Sequence, residues 1–137
     1  MKKVLFICTH NRCRSQLFQA LANHLGNGKL VAQSAGSQPE GVVHPGAIAA
    51  LKRHGIDTNE LSSKSWDDLA DFAPDLIVTV CDSAAGEACP VWFGDTEKQH
   101  WSTPDPSIVE GEAEQVIAFD KTIEEIKQRL QQSGLLS

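Results

Sequence analysis

A cysteine and an arginine are separated by five residues near the start of the chain, in Cys8-Thr9-His10-Asn11-Arg12-Cys13-Arg14-Ser15. An apolar run precedes this segment and a helical pattern follows it. A tight loop that enters a helix turns backbone N–H groups inward and can hold a tetrahedral anion. Arg14 can add a bidentate contact, and the same positive field lowers the pKa of a thiol. We therefore predict that Cys8 is a nucleophile beside an oxyanion site; the alternative is a buried Cys8 with a surface Arg14.

The residues around Cys8 are expected to line this anion site. Asn11 is predicted to hold the loop through hydrogen bonds to the backbone, although an ordinary turn asparagine also fits. Ser15 is predicted to cap the following helix, and the sequence leaves open whether it also donates to Cys8. Cys13 is interpreted as a small core residue rather than a second nucleophile. The predicted anion-binding residues are Thr9, His10, Asn11, Arg12, Cys13, Arg14 and Ser15.

A carboxyl group that could serve this site lies far along the chain, at Asp105 in Thr103-Pro104-Asp105-Pro106-Ser107. Attack of a thiolate on a tetrahedral oxyanion expels an oxygen, which departs more easily when it is protonated. A Pro-Asp-Pro stretch alone is typical of a turn. Together with the Cys8 loop, it predicts that Asp105 is a general acid.

Two further cysteines follow a strongly apolar run. Cys81 ends the run over residues 76–80, and Cys89 comes eight residues later, before Pro90. Ester hydrolysis moves no electrons and needs neither thiol, whereas two thiols that join in a disulfide supply the two electrons that reduce an oxyanion. The alternatives are that both cysteines are only structural, or that the protein is a non-enzymatic thiol sensor. A structural zinc site is disfavoured because no C-x2-C pair is present.

Strand and helix patterns alternate along the chain. Strands are predicted over residues 4–7, 30–32 and 76–80 and near Trp101, and helices over residues 15–25, 45–52, 65–72 and 112–130. The last helix carries an apolar stripe at Val116, Phe119, Ile123, Ile126 and Leu130. This alternation predicts a three-layer α/β/α fold with a central, mostly parallel four-stranded sheet. Ligands bind beyond the carboxyl ends of such strands, where Cys8 and Cys81 both lie.

The overall composition agrees with a single domain over residues 1–137. The 12 basic and 18 acidic side chains give a net charge of −6, which disfavours nucleic acid and anionic membrane as partners. No apolar stretch is long enough to cross a bilayer. We expect a cytoplasmic monomer whose cysteines are reactive thiols, because the cytosol is reducing.

With these residues assembled, the chain resembles the arsenate reductases of the low-molecular-weight tyrosine phosphatase superfamily, the type usually coupled to thioredoxin. The resemblance spans nearly the whole chain. It is carried by Val4-Leu5-Phe6-Ile7-Cys8-Thr9, Asn11, Cys13-Arg14-Ser15-Gln16, Ser34-Ala35-Gly36, Val78-Thr79-Val80-Cys81, Cys89-Pro90, His100-Trp101 and Asp105-Pro106. It implies that Cys8 is the nucleophile, Arg14 grips the oxyanion, Asp105 is the acid, and Cys81 and Cys89 form the redox relay.

The resemblance also implies the reaction and its partners. Arsenate would be reduced to arsenite through a Cys8 thiol-arsenate intermediate, as part of arsenical resistance. The electrons would come from a Cys8/Cys81/Cys89 disulfide relay, whose final disulfide would be reduced by thioredoxin or by glutaredoxin with glutathione. Phosphate or sulfate would fit the same site, weak phosphatase activity is expected, and no cofactor is implied. The closest rival is a tyrosine phosphatase on the same fold, but those enzymes tend to carry tyrosines after Asp-Pro, and this chain has no tyrosine.

Some positions depart from the family pattern. The rim is bulkier and more basic, because His10 and Arg12 replace smaller residues of several relatives. Some relatives bind potassium through Asn, Glu, Ser and Asp side chains. Asn11 and Ser34 match this set, whereas the acidic positions are occupied by the residues Gln19 and Lys64. The Lys64 ammonium could replace the cation, so we predict no bound metal.

Overall fold

The computed structural model describes residues 2–81 and 96–136. In these residues a four-stranded parallel sheet has the strand order β2-β1-β3-β4, as the alternating pattern predicts. The strands are β1 (Lys2–Ile7), β2 (Leu30–Ala35), β3 (Leu76–Thr79) and β4 (Glu97–His100). The helices are α1 (Arg14–Gly26), α2 (Pro45–Arg53) and α3 (Glu112–Ser133), with short 3-10 helices at Trp66–Phe72 and Pro106–Ile108. Cys89 lies outside the described residues.

The central strand β1 is covered on both faces. Leu5 and Phe6 are fully buried although neighbouring side chains of a strand point to opposite faces. On one face Phe6 stacks on Phe18 of α1 at a centroid distance of 5.1 Å, and Trp101 completes the cluster at 6.0 Å from Phe18. Full burial of a large apolar side chain contributes roughly 1.5–3 kcal/mol, so this cluster anchors the start of α1 to the sheet.

The register of the sheet brings two distant cysteines to one edge. Ile7, the last residue of β1, pairs with Thr79, the last residue of β3. The Val80 N–H continues the pairing by donating to the Ile7 carbonyl at 3.0 Å. Cys8 and Cys81 therefore leave the sheet side by side, at the carboxyl ends of adjacent parallel strands.

Several element boundaries differ from those predicted. β2 continues to Ala35 because it pairs with the full length of β1, and β4 ends just before Trp101. Val116, predicted in the apolar stripe of α3, is 38% exposed. This prediction is wrong because the first turns of α3 extend beyond the core, which the helix reaches only at Phe119. Among the described residues, no helix is both long and apolar enough to span a membrane.

Candidate active site

The segment from Cys8 to Cys13 connects β1 directly to α1. Donors from other parts of the chain hold this loop by hydrogen-bonding to its backbone carbonyl groups. Four successive carbonyls accept hydrogen bonds from other parts of the chain. These bonds run from Gln38 N to Thr9 O (2.9 Å), from Glu40 N to His10 O (3.1 Å), from Gln16 Nε2 to Asn11 O (2.9 Å) and from His44 N to Arg12 O (2.8 Å). The peptide bonds of this loop are trans, so the N–H that follows each carbonyl points the opposite way. The amides of residues 10–13 therefore point away from these partners, and that of His10 hydrogen-bonds to Cys8.

Asn11 fixes the turn of this loop. It is fully buried and adopts a left-handed backbone conformation with φ of 48°, which asparagine tolerates better than most residues. Its Nδ2 donates to Ser15 Oγ at 2.7 Å, and its Oδ1 accepts from Lys64 N at 2.9 Å. The prediction that Asn11 holds the loop is confirmed.

Ser15 does not cap α1, contrary to the sequence prediction. The residue at the N-cap position is Cys13, and no side chain there bonds to the helix. Ser15 is the second residue of the helix. It is fully buried and accepts the hydrogen bond from Asn11. The N-cap lies two residues earlier than predicted, at Cys13 instead of Ser15, and this shift makes Ser15 a support of the loop.

Gly36 lets β2 pack against the start of the loop. A Cβ at this position would lie 2.4 Å from the carbonyl oxygens of both Cys8 and Thr9. Any side chain would push the loop away, because real Cβ atoms do not approach backbone oxygens so closely. This contact explains the glycine at position 36.

The thiol of Cys8 lies beside that of Cys81, and the two side chains are joined by a hydrogen bond. Cys81 Sγ also accepts from the backbone N–H of Thr9 at 3.4 Å. Both cysteines are reduced and almost fully buried, at 6% and 3% exposure. The structure therefore brings together two of the three thiols predicted to exchange electrons.

The pKa of Cys8 is raised above the ordinary value of a thiol, not lowered as predicted. The hydrogen bond with Cys81 is the largest cause, followed by burial and by the negative charge of Cys81. Arg14 and the backbone N–H of His10 lower the pKa but do not outweigh these effects. The prediction took the loop and Arg14 into account but not the second thiol against Cys8.

Cys13 is 3% exposed, in agreement with its interpretation as a small core residue. Burial, and then the negative charge of Asp105, raise the pKa of Cys13 to about 12. Cys13 is therefore protonated at neutral pH and is a poor nucleophile in this state.

Arg14 is turned inward and spans the gap between the loop and the Asp105 segment. Its Nη1 donates to the Thr103 carbonyl at 3.0 Å, and its Nη2 lies 3.7 Å from Asp105 Oδ2. Its Nε is buried and has no hydrogen-bond partner in the described part of the chain. The guanidinium therefore has an unused donor at the site, and the alternative of a surface Arg14 is excluded.

Asp105 forms the opposite wall. Its side chain is 20% exposed, and its Oδ1 accepts from Ser107 N at 2.9 Å and from Ser107 Oγ at 2.6 Å. Arg12 reaches across from the loop and donates from Nη2 to Ser107 Oγ at 3.0 Å. Sequence reasoning missed Ser107. The signal was present, because an aspartate followed by proline and serine fits an N-cap that bonds to the backbone N–H two residues later.

His44 lies at the back of this wall and was also missed. It caps α2 by accepting from Gly46 N at Nδ1, at 2.9 Å, and its ring packs against Phe119. Burial lowers the pKa of His44, and the charge of Arg12 lowers it further. The imidazole is therefore neutral at pH 7, which its role as a hydrogen-bond acceptor requires.

The positions that would correspond to a cation site are bonded to one another or to the backbone. Ser34 Oγ donates to Gln19 Oε1 at 2.7 Å, and both side chains are buried. Lys64 Nζ donates to the Ser62 carbonyl at 3.2 Å. Burial lowers the pKa of Lys64 to about 8, although Asp68 opposes this effect. In the ranges that the structure describes, no three His, Cys, Asp or Glu side chains cluster as metal ligands would.

Comparison with known proteins agrees with this geometry. Residues 3–134 match the family model described as low molecular weight phosphotyrosine protein phosphatase. The arsenate reductase of Bacillus licheniformis is 36% identical over 131 residues, covering 94% of this chain and 92% of that protein. The arsenate reductase of Bacillus subtilis is 35% identical over 133 residues, covering 96% and 94%. A solved structure described as an arsenate reductase in the phosphate binding state superposes with a TM-score of 0.79 at 30% identity, covering 97% and 96% of the two chains.

Proposed function

The chain belongs to the low molecular weight phosphotyrosine protein phosphatase family, and we propose that within this family it is an arsenate reductase. Relatives with this name match almost their whole length. The observation that carries the proposal is the hydrogen bond between Cys8 and Cys81. Hydrolysis of a phosphate ester moves no electrons and needs no second thiol, whereas the reduction of arsenate needs two electrons, which two adjacent thiols can supply.

The first step is attack of Cys8 on arsenate. The raised pKa of Cys8 means that the resting thiol is protonated, so the incoming arsenate dianion takes this proton as the sulfur attacks. An As–S bond forms and an As–O bond breaks, and Asp105 protonates the departing oxygen, which leaves as water. The inward-facing amides, including that of His10, and the free Nε of Arg14 hold the other oxygens. The remaining loop residues from Thr9 to Ser15 shape this nest.

Reduction takes place in the second step. Cys81 attacks the sulfur of Cys8, the S–S bond forms, and the electron pair of the As–S bond passes to arsenic, which leaves as arsenite. Two thiols are oxidised and As(V) becomes As(III), so the electrons balance. The proximity of Cys81 to Cys8 supplies the attacking group without rearrangement of the sheet.

Cys89 completes the proposed relay. It attacks Cys81, releases Cys8 and leaves a Cys81–Cys89 disulfide for an external dithiol protein to reduce. Thioredoxin, or glutaredoxin with glutathione, are the candidate reductants. We place the reaction in the reducing cytosol, on a monomeric domain spanning residues 1–137, without a bound metal or cofactor.

The second candidate is phosphate monoester hydrolysis through a phosphocysteine. The family model is named for this activity, and Cys8, Arg14 and Asp105 would serve it equally well, but the relatives matched over almost their whole length are named arsenate reductases. Because phosphate esters fit the same nest, we expect this activity to be weak and to coexist with reduction. It leaves the contact between Cys8 and Cys81 without a role.

A single-turnover experiment tests the proposal. Fully reduced protein is mixed with arsenate in the absence of external reductant, and arsenite is quantified by chromatography with elemental detection. We expect close to one arsenite per protein, none from Cys8→Ser or Cys81→Ser, and an unchanged yield from the control Glu124→Gln on the exposed face of α3. Undiminished arsenite from Cys81→Ser, or no arsenite from a protein that hydrolyses aryl phosphates rapidly, would contradict it.

A further inference from the structure

The two oxygens of the Asp105 carboxyl group have different surroundings. Oδ1 accepts two short hydrogen bonds, from the backbone N–H and the hydroxyl of Ser107. Oδ2 faces Arg14, but the distance of 3.7 Å to Nη2 is too long for a hydrogen bond. Among the described residues, the hydrogen-bond donors within reach of this carboxyl group therefore bond to Oδ1 and not to Oδ2.

Arg12 determines the direction in which the Ser107 hydroxyl donates. A hydroxyl group donates one hydrogen bond and accepts others. Arg12 Nη2 donates to Ser107 Oγ at 3.0 Å, and the protonated thiol of Cys13 also hydrogen-bonds to this hydroxyl. The oxygen accepts from both groups, so its single proton is left for Asp105. A cap of the short 3-10 helix would need only the backbone N–H of Ser107. The contact from Arg12, a residue of the anion loop, is independent of that cap.

Arg12 is itself held on the rim. Its Nη1 lies 3.7 Å from Glu40 Oε2, and its side chain is 32% exposed. The Glu40 backbone N–H bonds to the loop carbonyl of His10. Such a partly exposed ion pair contributes little by itself, but it restricts the arginine to the side of the loop that faces Ser107.

We propose that Ser107, oriented by Arg12, is a positioning residue that directs the acidic proton of Asp105 to Oδ2. A proton on Oδ1 would clash with two donors, so the protonated carboxyl group carries its hydrogen on the oxygen that faces Arg14 and the anion site. In the reaction the Oδ2–H bond breaks, its proton passes to the departing oxygen, and Oδ1 keeps both hydrogen bonds. This inference deepens the proposed function and rests on it.

The test is a double-mutant cycle between Ser107→Ala and Asp105→Asn, measured on arsenate reduction with a dithiol reductant. General acids contribute about 10²–10⁴ to rate, and we expect Ser107→Ala to lose roughly tenfold in kcat, a part of that contribution. KM and the Kd for inorganic phosphate should stay within about twofold, because the anion nest is intact. Ser107→Thr, which keeps the hydroxyl, should recover kcat to within about threefold of the wild type. In the Asp105→Asn background, Ser107→Ala should change kcat by less than about twofold.

A tenfold loss from Ser107→Ala that persists in the Asp105→Asn background would overturn the proposal, because it would show a general effect on the fold. Failure of Ser107→Thr to recover activity would also overturn it. Arg12→Ala should lower kcat in the otherwise wild-type protein. In the Ser107→Ala background, the same substitution should change log kcat by less than half as much. If the effects of the two substitutions on log kcat were fully additive, the role of Arg12 would be contradicted.

The same cycle on phenyl phosphate separates this inference from the proposed function. If the protein hydrolyses phenyl phosphate but forms no arsenite, the reductase assignment fails, and the cycle still decides whether Ser107 acts through Asp105. If the protein turns over neither substrate, Asp105 serves no reaction and both proposals fall.

Discussion

The thiol of Cys81 hydrogen-bonds to the thiol of Cys8 at the common edge of two adjacent parallel strands. The register of β1 and β3 sets this contact, because Cys8 directly follows β1 and Cys81 follows Val80, whose N–H bonds to Ile7. It has two consequences that can be measured separately: a route for electrons between the sulfurs, and a raised pKa of Cys8.

The electron route predicts which disulfides form. After one turnover with arsenate, Cys89→Ser should accumulate a Cys8–Cys81 disulfide, because the thiol that would release Cys8 is missing. The wild type should instead carry a Cys81–Cys89 disulfide. Peptide mapping by mass spectrometry after acid quenching and alkylation identifies both bridges. A bridge that contains Cys13 in either protein would show that the proposed relay is wrong, and protein incubated without arsenate provides the control for air oxidation.

The raised pKa of Cys8 predicts how its reactivity depends on pH. Cys81→Ala removes the largest cause of the shift, the hydrogen bond, and also the charge of Cys81. The pKa of Cys8 should therefore fall, and at any given pH between about 7 and 9 its alkylation by iodoacetamide should be faster than in the wild type. The rate is followed at the peptide that contains Cys8, because the thiolate is the reactive form.

Arg14→Gln is the matched variant for this experiment. Arg14 lowers the pKa of Cys8, so its removal should move the alkylation profile of Cys8 to higher pH. A shift in the same direction for Cys81→Ala and Arg14→Gln would refute the assignment of causes and would indicate a change in accessibility instead.

The strand and helix pattern predicts where this site lies, because the order of the strands in the sheet determines which residues meet at its carboxyl edge. Cys8 and Cys81 each end an apolar run, and parallel strands place such ends together. The positions of Arg14 and Asp105 at the site follow from the loop motif and from Asp105-Pro106. These features depend on local patterns, which a sequence shows directly.

Contacts between distant side chains could not be predicted in this way. The hydrogen bond from Arg12 to Ser107 joins two segments whose sequences contain no sign of each other. The direction of the Cys8 pKa depended on the balance between Arg14 and Cys81, and the sequence shows that both groups are present but not which effect is larger. The helical pattern predicts a cap at Ser15 because it locates the start of a helix only to within one or two residues.

The buried hydrogen bonds of Asn11 predict a large effect of its removal. Asn11→Ala leaves the Lys64 N–H and the Ser15 hydroxyl without their partner and places alanine at a positive φ. Each buried unsatisfied group costs about 1–3 kcal/mol, so we expect a loss of roughly 2–5 kcal/mol in the free energy of unfolding, measured with urea. Binding of phosphate, measured by calorimetry, should weaken together with the stability.

Asn27→Ala is the matched control for Asn11→Ala. Asn27 has nearly the same backbone conformation, with φ of 47°, but is exposed after the end of α1. Its replacement carries the backbone strain of about 1 kcal/mol without the loss of buried hydrogen bonds. Equal losses of stability in the two variants would show that strain, and not the support of the loop by Asn11, accounts for the effect.

Lys64 predicts a rise of stability with pH. Burial lowers its pKa from 10.5 to about 8 in the folded protein, so between these values the unfolded chain binds more protons at this position than the folded chain. The free energy of unfolding should therefore increase from pH 8 to pH 10 relative to Lys64→Met, which does not titrate. We expect a change on the order of 1 kcal/mol once solvent screening is considered, measured by urea unfolding at each pH.

Lys64→Arg is the control, because arginine stays charged over this range. The difference in the free energy of unfolding between Lys64→Arg and Lys64→Met should therefore be constant from pH 8 to pH 10. If the free energy of unfolding depended on pH in the same way in the wild type and in Lys64→Met, the ammonium group would be solvated. Lys64 would then not take the place of a bound cation.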